Sequence, residues 1–219
     1  MLNNFVDKVF VINLPHRTDR IKQFDFYAKK HNFDYEVFPA FDGKKLISQD
    51  FEYDGIKVGN PYMNESYFKG HVGCLISHLN LIKYCESMGF ESIMVFEDDC
   101  GFVDDFNNRL DNLMTKVDDD WKMLYFGGSL FEVDDEFDSY ISVSKVLTTH
   151  SYMVKRDVFK SIIENFLEKI FTSEVDVCYS DLHKKIKTYL AMPFLTFQSE
   201  GYSDIGCDFR DYQSTKKYL

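Results

Sequence analysis

The sequence predicts an α/β fold, with a mostly parallel central sheet and helices on both of its faces. Residues 9–14, 92–96 and 123–126 are short, mainly apolar runs, as expected of strands that helices cover on both sides. Between these runs, apolar residues recur at helical spacing. The chain has 219 residues, of which 45% are hydrophobic and 17% aromatic, so we expect a single domain with a sizeable core over residues 1–219.

The first strand and the segments after it predict a β-α-β unit. The run at 9–14 stops before a proline, and Thr18 or Asp19 is placed to cap a following helix. The apolar face of that helix is expected to carry Ile21, Phe24, Ala28 and His31. A second strand is expected at 35–38, before an Asp-Gly turn at Asp42.

A long helix is predicted in the middle of the chain. Residues 44–67 show little periodicity and are expected to form a loop with short elements. Residues 70–85 then place apolar side chains on one helical face, namely Val72, Leu75, Ile76, Leu79 and Ile82. The buried strand at 92–96 follows this helix.

The second half predicts a sheet that becomes mixed. A helix is expected at 102–113, then the strand at 123–126. Ile141, Val143 and Lys145 alternate with serines as in a strand with one wet face, and residues 149–154 are expected to pair with it. A broad apolar stripe over 158–170 predicts a further helix.

Charge, cysteine content and hydropathy bear on the partners and the localisation of the protein. Lys and Arg total 25 against 36 Asp and Glu, a net charge of -11, which disfavours nucleic-acid binding. The five cysteines are widely spaced, and the start of the chain shows no signal-peptide pattern, so we expect a cytoplasmic protein. No apolar run approaches the roughly 20 residues of a transmembrane helix, although contact with a membrane surface stays open.

Three consecutive acids, Glu97, Asp98 and Asp99, follow the buried strand. In an extended chain Glu97 and Asp99 share one side and Asp98 faces the other. Ligands of open α/β sheets bind beyond the carboxyl ends of the strands, where these acids fall. Two carboxylates about 4 Å apart repel by roughly 4 kcal/mol at an effective dielectric near 20, and a divalent cation between them reverses this.

An all-oxygen donor set favours Mg²⁺ or Mn²⁺ over Zn²⁺. The alternative interpretation is that Asp98 or Asp99 caps the next helix and the other acids are solvated.

Four ordered blocks carry a recognisable pattern: FVINLPHRTDR at 10–20, AFDG at 40–43, GHVGCLISH at 70–78 and FEDD at 96–99. Weaker echoes lie at 149–154, 175–176 and 201–205. Together, from Val9 to Ile205, they resemble glycosyltransferase family 25, the lipooligosaccharide and procollagen galactosyltransferase-like enzymes. The resemblance implies a GT-A type fold, in which a nucleotide-sugar donor lies across the carboxyl ends of the strands.

The resemblance also implies that the acidic motif holds a Mn²⁺ or Mg²⁺ ion against the donor diphosphate. Asp99 is the first choice as metal ligand, with Glu97 as a second ligand or a ribose contact. His150, in a matched block, is a candidate third ligand or phosphate contact, and the alternative is a buried histidine with satisfied hydrogen bonds.

Several residues are candidates for donor binding. Arg17 and Arg20 suit bidentate contact with phosphate, unless they only solvate the first turn of their helix. The resemblance suggests that Asn13 and Leu14 present backbone groups to the base. Asp42, which alternatively forms a plain turn, Asp98 and Ser77 complete the predicted nucleotide-sugar site.

A zinc site at His71, Cys74 and His78 is a weaker alternative, since closed zinc sites need four ligands and no companion pair lies nearby in the sequence. The favoured interpretation is that Gly73, Ser77 and His78 pack this helix near the donor, with a backbone or carboxylate partner for His78.

The predicted function is transfer of a hexose, galactose or glucose, from a UDP-sugar to a saccharide or hydroxylated acceptor, with inversion. One carboxylate must then take the acceptor proton; Asp176, in a matched block, is the first candidate, with Asp181 and Asp204 as alternatives. Two rival functions stay open. A sugar nucleotidyltransferase would want a glycine-rich, lysine-bearing loop after the first strand, which Leu14 to Thr18 does not provide. A catalytically silent carbohydrate- or partner-binding scaffold would be expected to lose the acids.

Overall fold

The computed structural model describes residues 1–46, 51–53, 55–58, 65–206, 208–212, 216 and 218–219. Within these residues lie five α-helices: α1 (Thr18–His31), α2 (Glu65–Met88), α3 (Phe106–Lys116), α4 (Phe159–Lys169) and α5 (Val175–His183). Short 3₁₀ turns lie at Leu2–Asn4, Gly43–Lys45 and Arg156–Val158.

Eight strands form the central sheet: β1 (Lys8–Asn13), β2 (Glu36–Pro39), β5 (Ser92–Glu97), β7 (Met123–Tyr125), β8 (Ser129–Glu136), β9 (Tyr140–Leu147), β10 (Ser151–Lys155) and β11 (Thr188–Ala191). Three small two-stranded sheets complete the described strands: β3 (Phe51–Tyr53) with β4 (Ile56–Val58), β6 (Cys100–Phe102) with β12 (Thr196–Gln198), and β13 (Gly201–Ser203) with β14 (Asp208–Arg210).

The strand order of the central sheet is β2-β1-β5-β10-β7-β11-β9-β8. Strands β10 and β9 run antiparallel to their neighbours, and the other six strands share one direction. This is the mostly parallel α/β sheet that the apolar runs predict. The antiparallel strands also make it mixed in its second half, as the alternation around Ile141 indicates.

Two apolar layers cover the two faces of the sheet. On β1, Phe10 and Ile12 pack into the layer made with α2, α4 and α5. Val9 and Val11 point the other way, into the layer made with α1 and α3. Each strand of the centre therefore needs apolar residues at successive positions, which explains the continuous runs in the sequence. The prediction of helices on both faces is confirmed.

Helix α1 shows how such a layer is stabilised. Phe24, Ala28 and His31 are buried on the predicted face, and the ring of Phe24 lies 5.4 Å from that of Phe96 on β5. Complete burial of such a ring contributes about 2–3 kcal/mol. The predicted cap was wrong, because the helix begins at Thr18 with Arg17 as N-cap and without a side-chain capping bond.

Three local predictions are corrected by the structure. Residues 149–154 do not pair with β9, because β10 lies between β5 and β7. Phe102 belongs to β6, and the helix predicted from it begins at Phe106. Helix α2 begins at Glu65, five residues before the first glycine of its motif.

The four described cysteines, Cys74, Cys85, Cys100 and Cys178, are free thiols, and Cys207 lies outside the described residues. In the part of the chain that the structure covers, no helix is both long and apolar enough to cross a bilayer.

Candidate active site

A cavity of about 410 Å³ opens at the carboxyl ends of β1, β2 and β5. Its size lies within the range of small-molecule binding pockets. Its described lining includes six carboxylates, Asp42, Glu65, Glu97, Asp98, Asp99 and Asp204. Three cationic side chains, Arg20, Lys44 and Lys69, face the same space. This excess of negative charge favours a cation over an anion as the first ligand.

All three consecutive acids reach this cavity. Strand β5 ends at Glu97, and Asp98 and Asp99 form a turn before β6 begins at Cys100. The extended arrangement, in which Asp98 would face away from the other two acids, is not formed, because the chain turns after Glu97. Neither Asp98 nor Asp99 caps a helix, since β6 comes next and the N-cap of α3 is Asp105.

Asp98 is held by two neighbours. Nδ2 of Asn13, the last residue of β1, donates to Oδ2 at 2.7 Å. Nη1 of Arg20 on α1 donates to Oδ1, also at 2.7 Å. Burial raises the pKa of Asp98, and Arg20 opposes that shift. Asn13 itself is buried and does not line the cavity, so it reaches the site through Asp98.

Asp99 is the least satisfied of the acids. Its Oδ2 accepts a hydrogen bond from Nε2 of Gln198 at 3.2 Å and lies 3.6 Å from Nη1 of Arg20. Its Oδ1 is buried and has no hydrogen-bond partner within the described chain. Burial, reinforced by the charge of Glu97, raises the pKa of Asp99 to about 7. A buried carboxylate oxygen without a donor is a position where a cation would relieve an unfavourable charge.

Glu97 is stabilised in its ionised form. Its Oε1 accepts a hydrogen bond from Oγ1 of Thr149 at 2.5 Å and lies 3.4 Å from Nε2 of His78. Although burial raises its pKa, the contacts with His78 and Thr149 outweigh burial, and the pKa of Glu97 is lowered. The motif thus pairs an ionised Glu97 with an Asp99 that titrates near neutral pH, as expected when two largely buried carboxylates repel each other.

His150 lies beside the acids but outside the cavity lining. Its backbone carbonyl accepts a hydrogen bond from the amide of Glu97. Its ring nitrogens face the hydroxyls of Thr148 and Thr196 at 3.3 and 3.4 Å. Burial lowers the pKa of His150 to about 4, so the ring is neutral.

Helix α2 brings Ser77 against the loop that follows β2. Oγ of Ser77 donates to the carbonyl of Gly73 and accepts from the amide of Phe41. A Cβ at Gly73 would lie 2.8 Å from the amide nitrogen of Gly43, so only glycine permits this approach. Asp42 caps the Gly43–Lys45 turn by accepting from the amide of Lys44. Leu14, Asp42 and Ser77 all line the cavity.

The two arginines have different surroundings. Arg20 lines the cavity, and its Nη2 also donates to the carbonyl of Tyr202 at 2.7 Å. Arg17 lies outside the lining and pairs with Asp19 and Asp204. Both arginines therefore tie α1 to the segment around β13, which covers one side of the cavity.

The predicted base, Asp176, is not among the described lining residues. It lies at the start of α5, where its Oδ2 accepts from the amide of Thr148 and its Oδ1 from the amide of Val177. Asp181 is exposed and pairs with Lys169. Asp204 lines the cavity but is paired with Arg17.

The comparisons with known proteins identify the family. Residues 6–179 match the family model described as glycosyltransferase family 25 (LPS biosynthesis protein). The chain belongs to glycosyltransferase family 25. The match includes all of the sequence blocks behind the resemblance up to Asp176, among them GHVGCLISH at 70–78, the α2 motif, and FEDD at 96–99.

Family 25 relatives differ in activity. A procollagen galactosyltransferase 1 from Danio rerio is 34% identical over 58% of this chain and 22% of its own length. Procollagen galactosyltransferase 1-A from Xenopus laevis is 31% identical over 67% of this chain and 25% of its own. An inactive glycosyltransferase 25 family member 3 from Homo sapiens is 32% identical over 55% and 22%. The chain thus spans about a quarter of the length of these curated relatives.

The fold of this family 25 chain is also seen in a solved structure, UDP-glucose pyrophosphorylase complexed with UDP-glucose. The TM-score is 0.52 with 11% identity, and the match covers 96% of each chain. At that identity the likeness shows the fold alone. The predicted GT-A type of α/β fold is confirmed.

Several lining residues of this family 25 cavity were missed by sequence reasoning. Gln198 meets Asp99 because β12 pairs with β6, and Ser203, Ile205 and Tyr212 approach from the segment around β13 and β14. These strands are three residues long and carry no periodic signal. The matched block at 201–205 was the one sign that this segment belongs to the site.

Proposed function

We propose that this family 25 chain is a metal-dependent glycosyltransferase that moves a hexose, galactose or glucose, from a UDP-sugar to a saccharide or hydroxylated acceptor with inversion. The observation that carries the proposal is the convergence of Glu97, Asp98 and Asp99 in one cavity at the carboxyl ends of the strands. The galactosyltransferases among the relatives support the choice of sugar.

The acidic motif fits a hard divalent cation. Asp99 offers a buried oxygen without a hydrogen-bond partner, and Glu97 adds a second negative charge. Oxygen donors favour Mn²⁺ or Mg²⁺. We propose Asp99 as the first ligand and Glu97 as a second ligand or ribose contact. Such an ion, when bound, would stabilise the charge that develops on a departing diphosphate. His150, with both nitrogens facing threonines, has the weaker claim as a third ligand.

We propose that the remaining residues bind different parts of the nucleotide-sugar donor or position the residues that do. Leu14, Asp42 and Ser77 line the side of the cavity formed by β1, the loop after β2 and α2, and we propose that this side takes the nucleoside. Arg20 lies where it faces both the acids and the open space, which suits contact with phosphate. Asn13 and Asp98 hold each other and Arg20 in place. Arg17, through Asp204, orients the segment that covers the site.

Asp176 is our proposal for the base that receives the acceptor proton. Asp204, which lines the cavity and is paired with Arg17, is the alternative. Comparison of Asp176→Asn and Asp204→Asn tests this choice. Loss of the base is expected to lower kcat with little change in the KM for the donor.

A silent scaffold is the second candidate, because relatives of similar identity are named inactive. The intact acids and the unsatisfied oxygen of Asp99 favour the enzyme. The likeness to a pyrophosphorylase concerns the fold and gives no separate support to nucleotidyl transfer.

Release of UDP from a panel of UDP-sugars tests the proposal. The full chain with Mn²⁺ is expected to release UDP from UDP-galactose or UDP-glucose, slowly without acceptor and faster with one. EDTA and Asp99→Asn should each abolish release, whereas Asp104→Asn, at a carboxylate with a fully solvated side chain, should not. Absence of UDP release across the panel, with a folded protein that binds saccharide, would favour the silent scaffold.

A further inference from the structure

Three side chains of different chemistry meet on one wall of the cavity. Cys74 and His78 lie four residues apart on α2 and therefore share a face of the helix. Glu97 faces them from the end of β5. The thiol sulfur, an imidazole nitrogen and a carboxylate oxygen of these residues lie within 4.8 Å of one another, and Nε2 of His78 is 3.4 Å from Oε1 of Glu97.

His78 is oriented as a metal-binding histidine would be. Its side chain is fully buried, and Nε2 makes no hydrogen bond within the described residues but faces the carboxylate of Glu97 at 3.4 Å. The other nitrogen, Nδ1, is hydrogen-bonded to Oη of Tyr152 at 2.8 Å, and that hydroxyl bonds in turn to Oη of Tyr179 at 2.8 Å. Partners of this kind fix the ring of a ligating histidine and leave the opposite nitrogen for the metal.

Glu97 has a similar second contact. Its Oε1 accepts a hydrogen bond from Oγ1 of Thr149, which holds the carboxylate toward α2. His71 does not take part, because its Nε2 faces Glu174 at 3.4 Å. Glu97, which is distant in sequence, thus replaces His71 in the ligand set that the α2 motif suggested.

We propose that Sγ of Cys74, Nε2 of His78 and Oε1 of Glu97 form a site for a thiophilic divalent cation of the zinc class. One thiolate, one imidazole and one carboxylate suit Zn²⁺ or Co²⁺, whereas Mg²⁺ prefers oxygen donors alone. Three protein ligands leave one coordination position open, as in catalytic zinc sites. Because all three residues line the cavity, that position faces the space where a substrate would bind.

This site is distinct from the cation position proposed at Asp99, although the two share Glu97. The inference rests on the three donor atoms and does not depend on the transfer reaction. Because a thiol must lose its proton to ligate a metal, binding is expected to release protons and to weaken as the pH falls.

Titration of the full chain with Co²⁺, after removal of metals with a chelator, tests the site. Co²⁺ takes the same ligands as Zn²⁺ and gives a thiolate-to-cobalt charge-transfer band in the near ultraviolet. We expect this band to appear and to saturate at stoichiometric Co²⁺, and excess Zn²⁺ to remove it.

Two thiol variants of the same helix give the matched comparison. Cys74→Ala is expected to lose the band, whereas Cys85→Ala, at a buried thiol on α2 that belongs to no such cluster among the described residues, is expected to keep it. If Cys74→Ala proves unfolded by circular dichroism, His78→Gln provides the test and should lose or strongly weaken the band.

A missing band in the folded wild-type chain, or an unchanged band in folded Cys74→Ala or His78→Gln, would overturn the inference. Asp99→Asn separates the two proposals. It should retain the cobalt band while losing UDP release. Each of the two proposals can therefore fail without contradicting the other.

Discussion

Arg20 and Asp98 form a partly buried ion pair, in which Nη1 of the arginine lies 2.7 Å from Oδ1 of the aspartate. The same Nη1 lies 3.6 Å from Oδ2 of Asp99. One guanidinium from α1 therefore compensates part of the negative charge of the carboxylates that lie at and after the end of β5. The rest of that charge is what we propose a divalent cation neutralises.

Replacement of Arg20 by alanine should destabilise the chain. It leaves Asp98 buried without its cationic partner, a change that typically lowers the free energy of unfolding by about 3–5 kcal/mol. Urea unfolding at pH 7 measures it. Arg156→Ala is the control, because the Arg156–Glu91 pair is solvent-exposed and such pairs contribute about 0–1 kcal/mol. Equal losses in the two variants would show that the Arg20 pair has no special role.

Asp99→Asn should stabilise the metal-free protein at alkaline pH. The pKa of Asp99 is raised to about 7 in the folded chain from about 3.9 in an unfolded one. The stability that Asp99 contributes by binding a proton in the folded state is therefore complete below pH 3.9. It is lost as the pH rises to 7, by about 1.4 kcal/mol for each pH unit. At pH 8 in EDTA the variant should unfold at higher urea than wild type.

The exposed Asp104 supplies the control for this measurement, since Asp104→Asn removes a carboxylate outside the cavity. An Asp99→Asn variant that is less stable than wild type at pH 8 would contradict the assigned burial of an unsatisfied charge. A cavity carboxylate whose pKa is strongly raised and whose charge weakens the fold is typical of a functional site.

Acid should destabilise the fold through its neutral buried histidines. Burial lowers the pKa of His183 to about 4, and its Nε2 is 3.0 Å from Oη of Tyr125. Between about pH 6.5 and pH 4 the unfolded histidine binds a proton and the folded one does not. The free energy of unfolding that this histidine contributes is therefore fully present only above about pH 6.5. It then falls toward pH 4 by about 1.4 kcal/mol for each unit and each such histidine.

The variant His183→Gln, followed by urea unfolding between pH 7 and pH 4, checks this. It should show a shallower loss than wild type, with the remaining slope due in part to His150. Identical slopes in the two proteins would mean that His183 is protonated in the folded state.

Gly73→Ala should disturb the wall of the cavity. Its Cβ would meet the amide of Gly43 at 2.8 Å and the carbonyl of Phe41 at 3.1 Å, so the loop after β2 must move away from α2. Overpacking of this kind lowers the free energy of unfolding by about 1–3 kcal/mol, and we expect donor affinity to fall as well. Gly201→Ala, where a Cβ meets nothing within 4 Å, should leave both quantities unchanged in thermal melts and nucleotide titrations.

The sequence predicted well those elements that depend on local pattern. Strands β1, β5 and β7 are buried on both faces and therefore appear as apolar runs, and α1 and α4 carry clear stripes. Strand β10 was assigned to the wrong neighbour, because chain proximity favours a hairpin and only tertiary packing inserts it between β5 and β7.

The site residues that directly follow a buried strand were predictable, whereas those contributed by segments distant in sequence were not. Glu97, Asp98 and Asp99 follow the apolar run of β5, but the turn that aims all three into one cavity depends on β6 and its partner β12. Gln198 reaches Asp99 through that pairing, about a hundred residues along the chain, and no local pattern marks it. The contact of His78 with Glu97 likewise requires α2 to pack across the sheet.

A structure of the chain with UDP and Mn²⁺ tests the central claim most directly, because the anomalous scattering of manganese locates the ion without interpretation of the nucleotide. We predict a manganese peak in contact with the carboxylate of Asp99, beside Glu97, with the diphosphate on its open side and Arg20 nearby. Manganese and UDP bound away from these carboxylates, or UDP bound in the cavity with Asp99 turned from it and no metal peak, would contradict the account.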